Sequence, residues 1–201
     1  MKAFIDEYSA AINSAMAKFD PVQFEKIIAI LAEAYKNDKQ VFIAGNGGSA
    51  GTANHFVCDF GKNAVPFTGT GPGKRRFRII SISDNIEKIT ALGNDIAFEE
   101  IFRQQLINLM REGDVFIAIS ASGNSPDIVR ACEYAKEMKS RIIVLAGFNG
   151  GKIKEFAEAA MVVPLTSYEQ IEDLHLIICH MIVYYFKNNP EVLNSPGSCQ
   201  A

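Results

Sequence analysis

Short apolar runs alternate with segments of helical periodicity along this 201-residue chain. The runs are apolar throughout, without a polar alternation, and they cover residues 40–45, 77–83, 114–120, 141–147 and 160–165. Strands of this kind are buried on both faces, which is typical of a parallel sheet covered by helices. The pattern therefore predicts a single α/β domain with a five-stranded parallel sheet flanked by helices.

Helical periodicity predicts the segments between these strands. Two helices are expected before the first strand, at 3–18 and 22–36, and Asp20 followed by Pro21 is a good start signal for the second. The other helical segments are 84–95 and 96–110 with a break at Gly93-Asn94, 125–138, 151–158, 168–186 and one beginning near residue 49.

The order of elements predicts how the chain is divided. We expect one domain over 1–190, made of an N-terminal helical pair (1–37) and an α/β core (38–190), followed by a flexible tail at 191–201.

Composition argues against several classes of protein. The hydrophobic fraction is 48% and the net charge is −3, which favours a globular chain without a nucleic-acid footprint. No apolar run reaches the roughly 18 residues of a membrane span. Without a CxxC pair, the cysteines are expected to be free thiols in a reducing cytoplasm, and they are Cys58, Cys132, Cys179 and Cys199.

The glycine-rich turn "GNGGSA" (45–50) follows the first strand and precedes a helix. It matches the dinucleotide pattern G-x-G-x-x-A, but that fold needs an acidic residue about 20 positions on, at the end of the next strand. Here that region is the loop around Val65-Pro66-Phe67, and the next strand ends only at Ser83-Asp84. The Walker pattern G-K-[ST] is also missing. A tight turn that needs glycine only for its backbone remains open.

A second polar turn, "SASGNS" (120–125), follows the third strand. Its three serine hydroxyls precede Pro126 at the start of a helix, and a helix N-terminus with convergent donors suits a phosphate group. Ser125 can also be a plain N-cap, which is compatible with binding. Because both turns follow strands of one parallel sheet, we expect them to line one site.

Four motifs, "GNGGSA", "ALGND", "SGNS" and the "QIED" helix with its two histidines, resemble the sugar isomerase (SIS) domain over nearly the whole chain. Within that superfamily the chain is similar to bacterial phosphoheptose isomerases. The resemblance implies conversion of sedoheptulose 7-phosphate to D-glycero-D-manno-heptose 7-phosphate through an enediol. It also implies a homotetramer in which the N-terminal helices pack, with sites that use residues from neighbouring chains, and no nucleic-acid or membrane partner.

The resemblance also implies which residues contact the sugar phosphate. The family usually has Thr at position 121, so Ala121 removes one hydroxyl donor, worth about 1 kcal/mol. The implied contacts are Asn46, Gly47, Gly48, Ser49, Asn94, Asp95, Ser120, Ala121, Ser122, Ser125 and Glu172.

By the same resemblance, His55, Asp59, Glu172 and His180 fall on positions that bind one divalent metal per subunit, usually zinc. Asp59 takes the base role and His180 the acid role. The chain departs twice from the family, with Asp59 for Glu and Glu172 for Gln. The shorter Asp59 moves its carboxylate back by about 1.5 Å. From spacing alone, His55 and Asp59 could instead be a surface pair, and Glu172 part of a solvated helix face.

Several other polar residues are ambiguous. We expect His175 to be structural, Lys62 to be solvated or to contact substrate, and the basic loop Lys74-Arg75-Arg76 to be solvated or to meet an anionic substrate. Three other functions remain open: isomerisation of another phosphosugar, sensing of a sugar phosphate, and a non-catalytic SIS protein of the kind that associates with a replication initiator. That last class tends to lose the metal-type histidine and acid.

Overall fold

The fold is described from a computed structural model, which covers residues 1–65 and 75–194. The elements in chain order are α1 (Lys2–Met16), α2 (Pro21–Lys36), β1 (Gln40–Ala44), α3 (Gly48–Asn63), β2 (Arg78–Ser81), α4 (Ile86–Asp95), α5 (Arg103–Leu109), β3 (Val115–Ser120), α6 (Pro126–Glu137), β4 (Arg141–Gly147), β5 (Ala159–Val163) and α7 (Tyr168–Asn188). Three 3₁₀ turns add Phe98–Glu100, Lys152–Phe156 and Pro190–Leu193.

The five strands form one parallel sheet in the order β2-β1-β3-β4-β5, which confirms the predicted fold class. The chain moves outward from β1 in one direction to β2 and in the other direction to β3. The switch point therefore lies between β1 and β3, where ligands of such sheets bind beyond the carboxyl ends. The turns after these two strands are the ones singled out above.

Each face of the sheet carries its own core. Ile43 and Ile117 pack with α2, α3 and α7, while Phe42 and Phe116 pack with α5 and α6 on the opposite face. Burial of both neighbours along a strand explains why the strands are apolar throughout. The Asp20 side chain accepts from the Val22 N–H at 2.8 Å, as expected of the cap of α2.

Three predictions about the helical segments were wrong in detail. The break predicted at Gly93-Asn94 lies later, because α4 continues to Asp95 and the N–H groups of Ile96 and Ala97 both donate to the Leu92 carbonyl. The long helix predicted over 96–110 is a 3₁₀ turn followed by the seven residues of α5. The short helix predicted at 151–158 is a 3₁₀ turn.

The structure describes the first four residues of the expected tail. Residues 190–193 form a 3₁₀ turn, and Leu193 is buried against the core. The rest of the predicted tail lies outside the described residues, as do Lys74 and most of the 65–76 loop. Within the described ranges, no helix combines the length and apolar character needed to cross a bilayer.

Candidate functional site

The first glycine-rich turn has two successive glycines, and each is explained by a different feature of the structure. Gly47 has φ +53° and ψ −121°, a conformation that side chains rarely adopt, so glycine is needed here. At Gly48, the first residue of α3, a Cβ would overlap the carboxylate of Glu172. Glu172 on α7 therefore reaches across to the beginning of α3.

The serine turn between β3 and α6 is held by its own hydroxyls. The Oγ atoms of Ser120 and Ser125 lie 3.1 Å apart, and Ser120 Oγ accepts from the Gly123 N–H at 3.2 Å. Ser122 Oγ accepts from the Asn124 N–H at 3.2 Å. Ser125 occupies the N-cap position of α6, but its side chain makes no cap hydrogen bond and is paired with Ser120 instead.

The two turns meet around one small cavity of about 140 Å³. Most of the residues expected to bind the sugar phosphate line it, together with Ile119 and Tyr168: they are Asn46, Ser49, Ser120, Ala121, Ser122, Ser125 and Glu172. Ser49 lies in the first turn of α3 and Ser125 at the start of α6, so two helix N-termini border the cavity. Their dipoles and hydroxyl donors favour an anion such as phosphate.

Four of the expected substrate contacts do not line this cavity. Asn94 and Asp95 are exposed at the end of α4, where the Asn94 amide donates to the Asp95 carboxylate at 2.8 Å. Gly47 and Gly48 form the turn itself and do not line the cavity, whose lining residues on that turn are Asn46 and Ser49.

A second cluster lies farther along α3 and α7. His55 Nε2 is 2.9 Å from His180 Nε2 and 3.2 Å from Asp59 Oδ2, and His180 Nε2 is 3.5 Å from Asp59 Oδ2. The Asn63 amide lies 3.5 Å from the other Asp59 oxygen. Among the described residues these three side chains form a group whose ligand atoms all lie within 4.8 Å of one another.

The spacing of these atoms fits a divalent metal. Zinc held tetrahedrally at 2.0–2.1 Å separates its nitrogen ligands by about 3.3 Å, close to the observed separations. Without a cation, two imidazole nitrogens this close need a hydrogen on one of them. Glu172, expected as the fourth ligand, is not in this group because its carboxylate lies against Gly48.

The cavity lies at the beginning of one helix pair, and the cluster lies about two turns farther along it. Ser49 and His55 are six residues apart on α3, a rise of about 9 Å, and Glu172 and His180 are eight apart on α7, about 12 Å. Both helices begin at the cavity and carry the cluster farther along. A ligand that reaches both the cavity and the cluster must therefore span roughly 10 Å.

One buried carboxylate at the site was missed from the sequence. Asp127, in the first turn of α6, is 1% exposed, and its oxygens accept from the Asn46 amide at 3.0 and 2.8 Å. Burial raises the pKa of Asp127 above its usual value, although the hydrogen bond from Asn46 opposes the shift. In the sequence, Asp127 follows Ser-Pro at a predicted helix start. An acid at such a position indicates only a favourable interaction with the helix dipole.

The remaining polar candidates do not join the site. His175 is fully buried, and burial lowers the pKa of its imidazole to about 4, which agrees with a structural role. The Arg75 guanidinium lies 4.4 Å from the centre of the Tyr35 ring. Arg76 donates to the Lys62 carbonyl at 3.0 Å, and the Lys62 side chain is exposed.

The chain is similar to known proteins both in sequence and in fold. A family model for the SIS domain matches residues 4–147. The phosphoheptose isomerase of Helicobacter hepaticus is 34% identical over 178 residues, covering 88% of this chain and 87% of that protein. The phosphoheptose isomerase of Nitratiruptor is 39% identical over 154 residues, covering 76% and 79%. The solved structure of phosphoheptose isomerase GmhA from Neisseria gonorrhoeae has a TM-score of 0.81 at 26% identity, covering 93% and 96%.

Proposed function

Because this chain belongs to the SIS-domain family of phosphoheptose isomerases, we propose that it converts sedoheptulose 7-phosphate to D-glycero-D-manno-heptose 7-phosphate. One observation carries the proposal: an anion cavity with serine donors and a His/Asp/His cluster lie about 10 Å apart on one helix pair. An extended seven-carbon sugar phosphate has eight bonds between C1 and phosphorus, and it spans about the same distance.

The phosphate end is held by neutral donors. Ser120, Ser122 and Ser125 offer hydroxyls at the start of α6, and no lysine or arginine of the described ranges lines the cavity. The helix dipole and these hydroxyls favour an anion without a counter-charge. With the phosphate fixed there, C1 and C2 of the extended sugar would reach the cluster at the other end.

Proton transfer at carbon is assigned to Asp59. In the ketose, Asp59 removes a proton from C1 and leaves a cis-enediol, and the proton is returned to C2 to give the aldose. Asp59 can turn one oxygen to the histidines while the other, near Asn63, remains for the substrate. The Asp59 carboxylate can therefore contact the histidines with one oxygen and remove a proton from the substrate carbon with the other.

His180 is assigned to the protons on O1 and O2. Its Nε2 is the atom that faces His55 and Asp59, so this nitrogen cannot hold a metal and carry a proton at the same time. We expect His180→Ala to lose turnover whether His180 holds a metal or carries the proton. Metal analysis of the same variant separates the two roles, because only the ligand role also lowers the metal content.

His55, Asp59 and His180 would hold one divalent metal per subunit, and zinc suits two imidazoles and a carboxylate. The ion would supply an electrophile for the carbonyl oxygen and the developing enediolate. Three protein ligands leave a position open for substrate or water.

We also propose that the protein assembles as a homotetramer and works in the cytoplasm. On α1, Phe4 is 66% exposed and Ile5 is 57% exposed, which supports packing of this helix against another copy. Cys58, Cys132 and Cys179 are free thiols, which supports a reducing compartment. Light scattering coupled to size exclusion tests the tetramer, and a monomer at micromolar concentration would contradict it.

Chain length of the substrate tests the function. We would compare the metal-loaded protein on sedoheptulose 7-phosphate, fructose 6-phosphate and ribulose 5-phosphate, following aldose formation by NMR. The two-ended site should give the largest kcat/KM with the seven-carbon sugar, since shorter sugars cannot reach both ends. Higher kcat/KM with the five- or six-carbon ketose would move the assignment to another phosphosugar.

A further inference from the structure

The strongest unexplained feature of the site is the contact between Asp127 and Asn46. The Asn46 Nδ2 atom lies within hydrogen-bond distance of both Asp127 oxygens, and Asp127 Oδ1 also accepts from the Ile128 N–H at 3.0 Å. Asn46 lines the cavity proposed to bind phosphate, which is called the phosphate cavity below. Asp127 does not line this cavity and lies at the beginning of α6. The contact therefore joins the two turns that build the site.

Burial of this carboxylate costs free energy, and the start of α6 does not by itself require a buried acid. Asp127 is 1% exposed, and no lysine, arginine or histidine in the described ranges forms an ion pair with it. Its partners are the Asn46 amide, one backbone N–H and the dipole of α6. A buried charge without a counter-ion is unfavourable, and a solvated acid or a serine would serve the helix start as well.

The chemistry of the pair fixes the orientation of the amide. An ionised carboxylate only accepts hydrogen bonds, so the Asn46 NH₂ group must face Asp127. The carbonyl oxygen of Asn46 is then the atom left for a ligand, and within the described residues it has no hydrogen-bond partner. Because phosphate oxygens are also acceptors, this carbonyl cannot bind the phosphate and instead selects a hydroxyl donor.

We propose that Asp127 is a positioning residue that makes Asn46 present a hydrogen-bond acceptor to a hydroxyl of the sugar. The role of Asp127 is then to distinguish a polyhydroxy phosphate from phosphate alone. This inference rests on the proposed function, because it assigns the ligand of the cavity to a sugar phosphate.

Asp127→Asn tests the proposal with little change in shape. The amide introduced at this position can donate to the Asn46 carbonyl or let the amide of Asn46 turn over, and either change removes the free acceptor. We expect KM for sedoheptulose 7-phosphate to rise about tenfold, the scale of one lost hydrogen bond, while inhibition by inorganic phosphate stays unchanged. In an Asn46→Ala background, Asp127→Asn should have no further effect on KM.

Asp114→Asn is the matched control. Asp114 is also buried, but it accepts from the backbone N–H groups of Gln40 and Arg111 at the opposite end of the sheet. This variant should change thermal stability without changing the ratio of sugar-phosphate to phosphate affinity. Asp127→Asn should change that ratio.

A side-chain readout separates positioning from a loss of packing. In ¹⁵N spectra, the Asn46 NH₂ signals should move as Asp127 titrates, and the movement should vanish in Asp127→Asn. Equal weakening of sugar phosphate and inorganic phosphate, or an unchanged KM, would overturn the proposal. If the wild type shows no turnover, the function fails, but calorimetry with sedoheptulose 7-phosphate and inorganic phosphate still decides the role of Asp127.

Discussion

At the scale of single residues, Glu172 is the departure from the family with the clearest physical consequence. Its carboxylate lies over the first residue of α3 and borders the phosphate cavity. A phosphate dianion that enters the cavity meets a like charge, and for each pair of unit charges about 4 Å apart this repulsion is about 1 kcal/mol even at the dielectric of bulk water. The usual Gln of the family carries no such charge.

Glu172→Gln should therefore tighten phosphate binding. We expect affinity for inorganic phosphate to rise up to about tenfold, with metal content unchanged because Glu172 is not in the His/Asp/His group. Isothermal calorimetry and metal analysis check the two parts. Glu169→Gln, an exposed change one turn earlier on α7, is the control. Loss of metal in Glu172→Gln would return Glu172 to the ligand set.

His175 predicts how stability depends on pH. The folded protein holds this imidazole neutral with a pKa of about 4, below the 6.5 of an unfolded histidine. The unfolded state binds the proton first, so this contribution to stability is complete above about pH 6.5 and is lost as pH falls toward 4. His175→Leu should flatten the fall in Tm over this range. An equally steep fall in the variant would contradict the burial of a neutral ring.

At the scale of elements, the serine turn is shaped by its packing on the loop after β4. Gly123 has φ +67°, and a Cβ there would overlap the Gly150 backbone. The serine turn cannot move aside without disturbing the cavity that its own residues line. The turn is thus held from both sides, by its own serines and by this contact.

Gly123→Ala should destabilise the protein by about 2 kcal/mol, because it adds both backbone strain and an overlap. Gly51→Ala is the matched control: its Cβ would meet nothing within 4 Å on α3, and a stabilisation of about 0.5–1 kcal/mol is expected. Urea unfolding measures both changes. A neutral Gly123→Ala would show that the turn is not constrained in this way.

Most elements could be predicted from sequence because apolar periodicity follows directly from burial. The strands around Ile43 and Ile117 are continuous apolar runs since both sheet faces are covered. The end of α4 could not be predicted, because Gly93 is tolerated inside a helix and the end depends on which N–H groups reach the Leu92 carbonyl. Periodicity carries no information on that choice.

Of the site, the sequence predicts the turns better than the contacts between them. His55 and Asp59 share a helix face by spacing, and their meeting with His180 followed from family resemblance, not from spacing. Asp127 was missed because its partner, Asn46, is 81 residues away. The position of the Glu172 carboxylate against Gly48 could not be predicted, because spacing fixes a helix face but not the end of a long side chain.

At the scale of the whole molecule, metal binding should stabilise the folded chain. The three proposed ligands come from α3 and α7, so an ion held by them would link these two helices. A free metal concentration 100-fold above Kd adds about 2.7 kcal/mol, which for a chain of this size raises Tm by roughly 5–10 °C. Thermal melts with zinc and with EDTA measure the shift. The same shift in His55→Ala would contradict the assigned ligands.

The central claim is that Asp59 moves a proton between C1 and C2 of a phosphosugar held by the serine turn. It is tested most directly by incubating the metal-loaded protein with sedoheptulose 7-phosphate in D₂O and following the aldose by NMR. The account expects product with deuterium at C2 in at least part of the molecules, and a rate about 10²–10⁴-fold lower for Asp59→Asn. Asp173→Asn, an exposed change on α7 beside Tyr8, should keep the wild-type rate. A product without solvent deuterium, formed equally fast by Asp59→Asn, would contradict it.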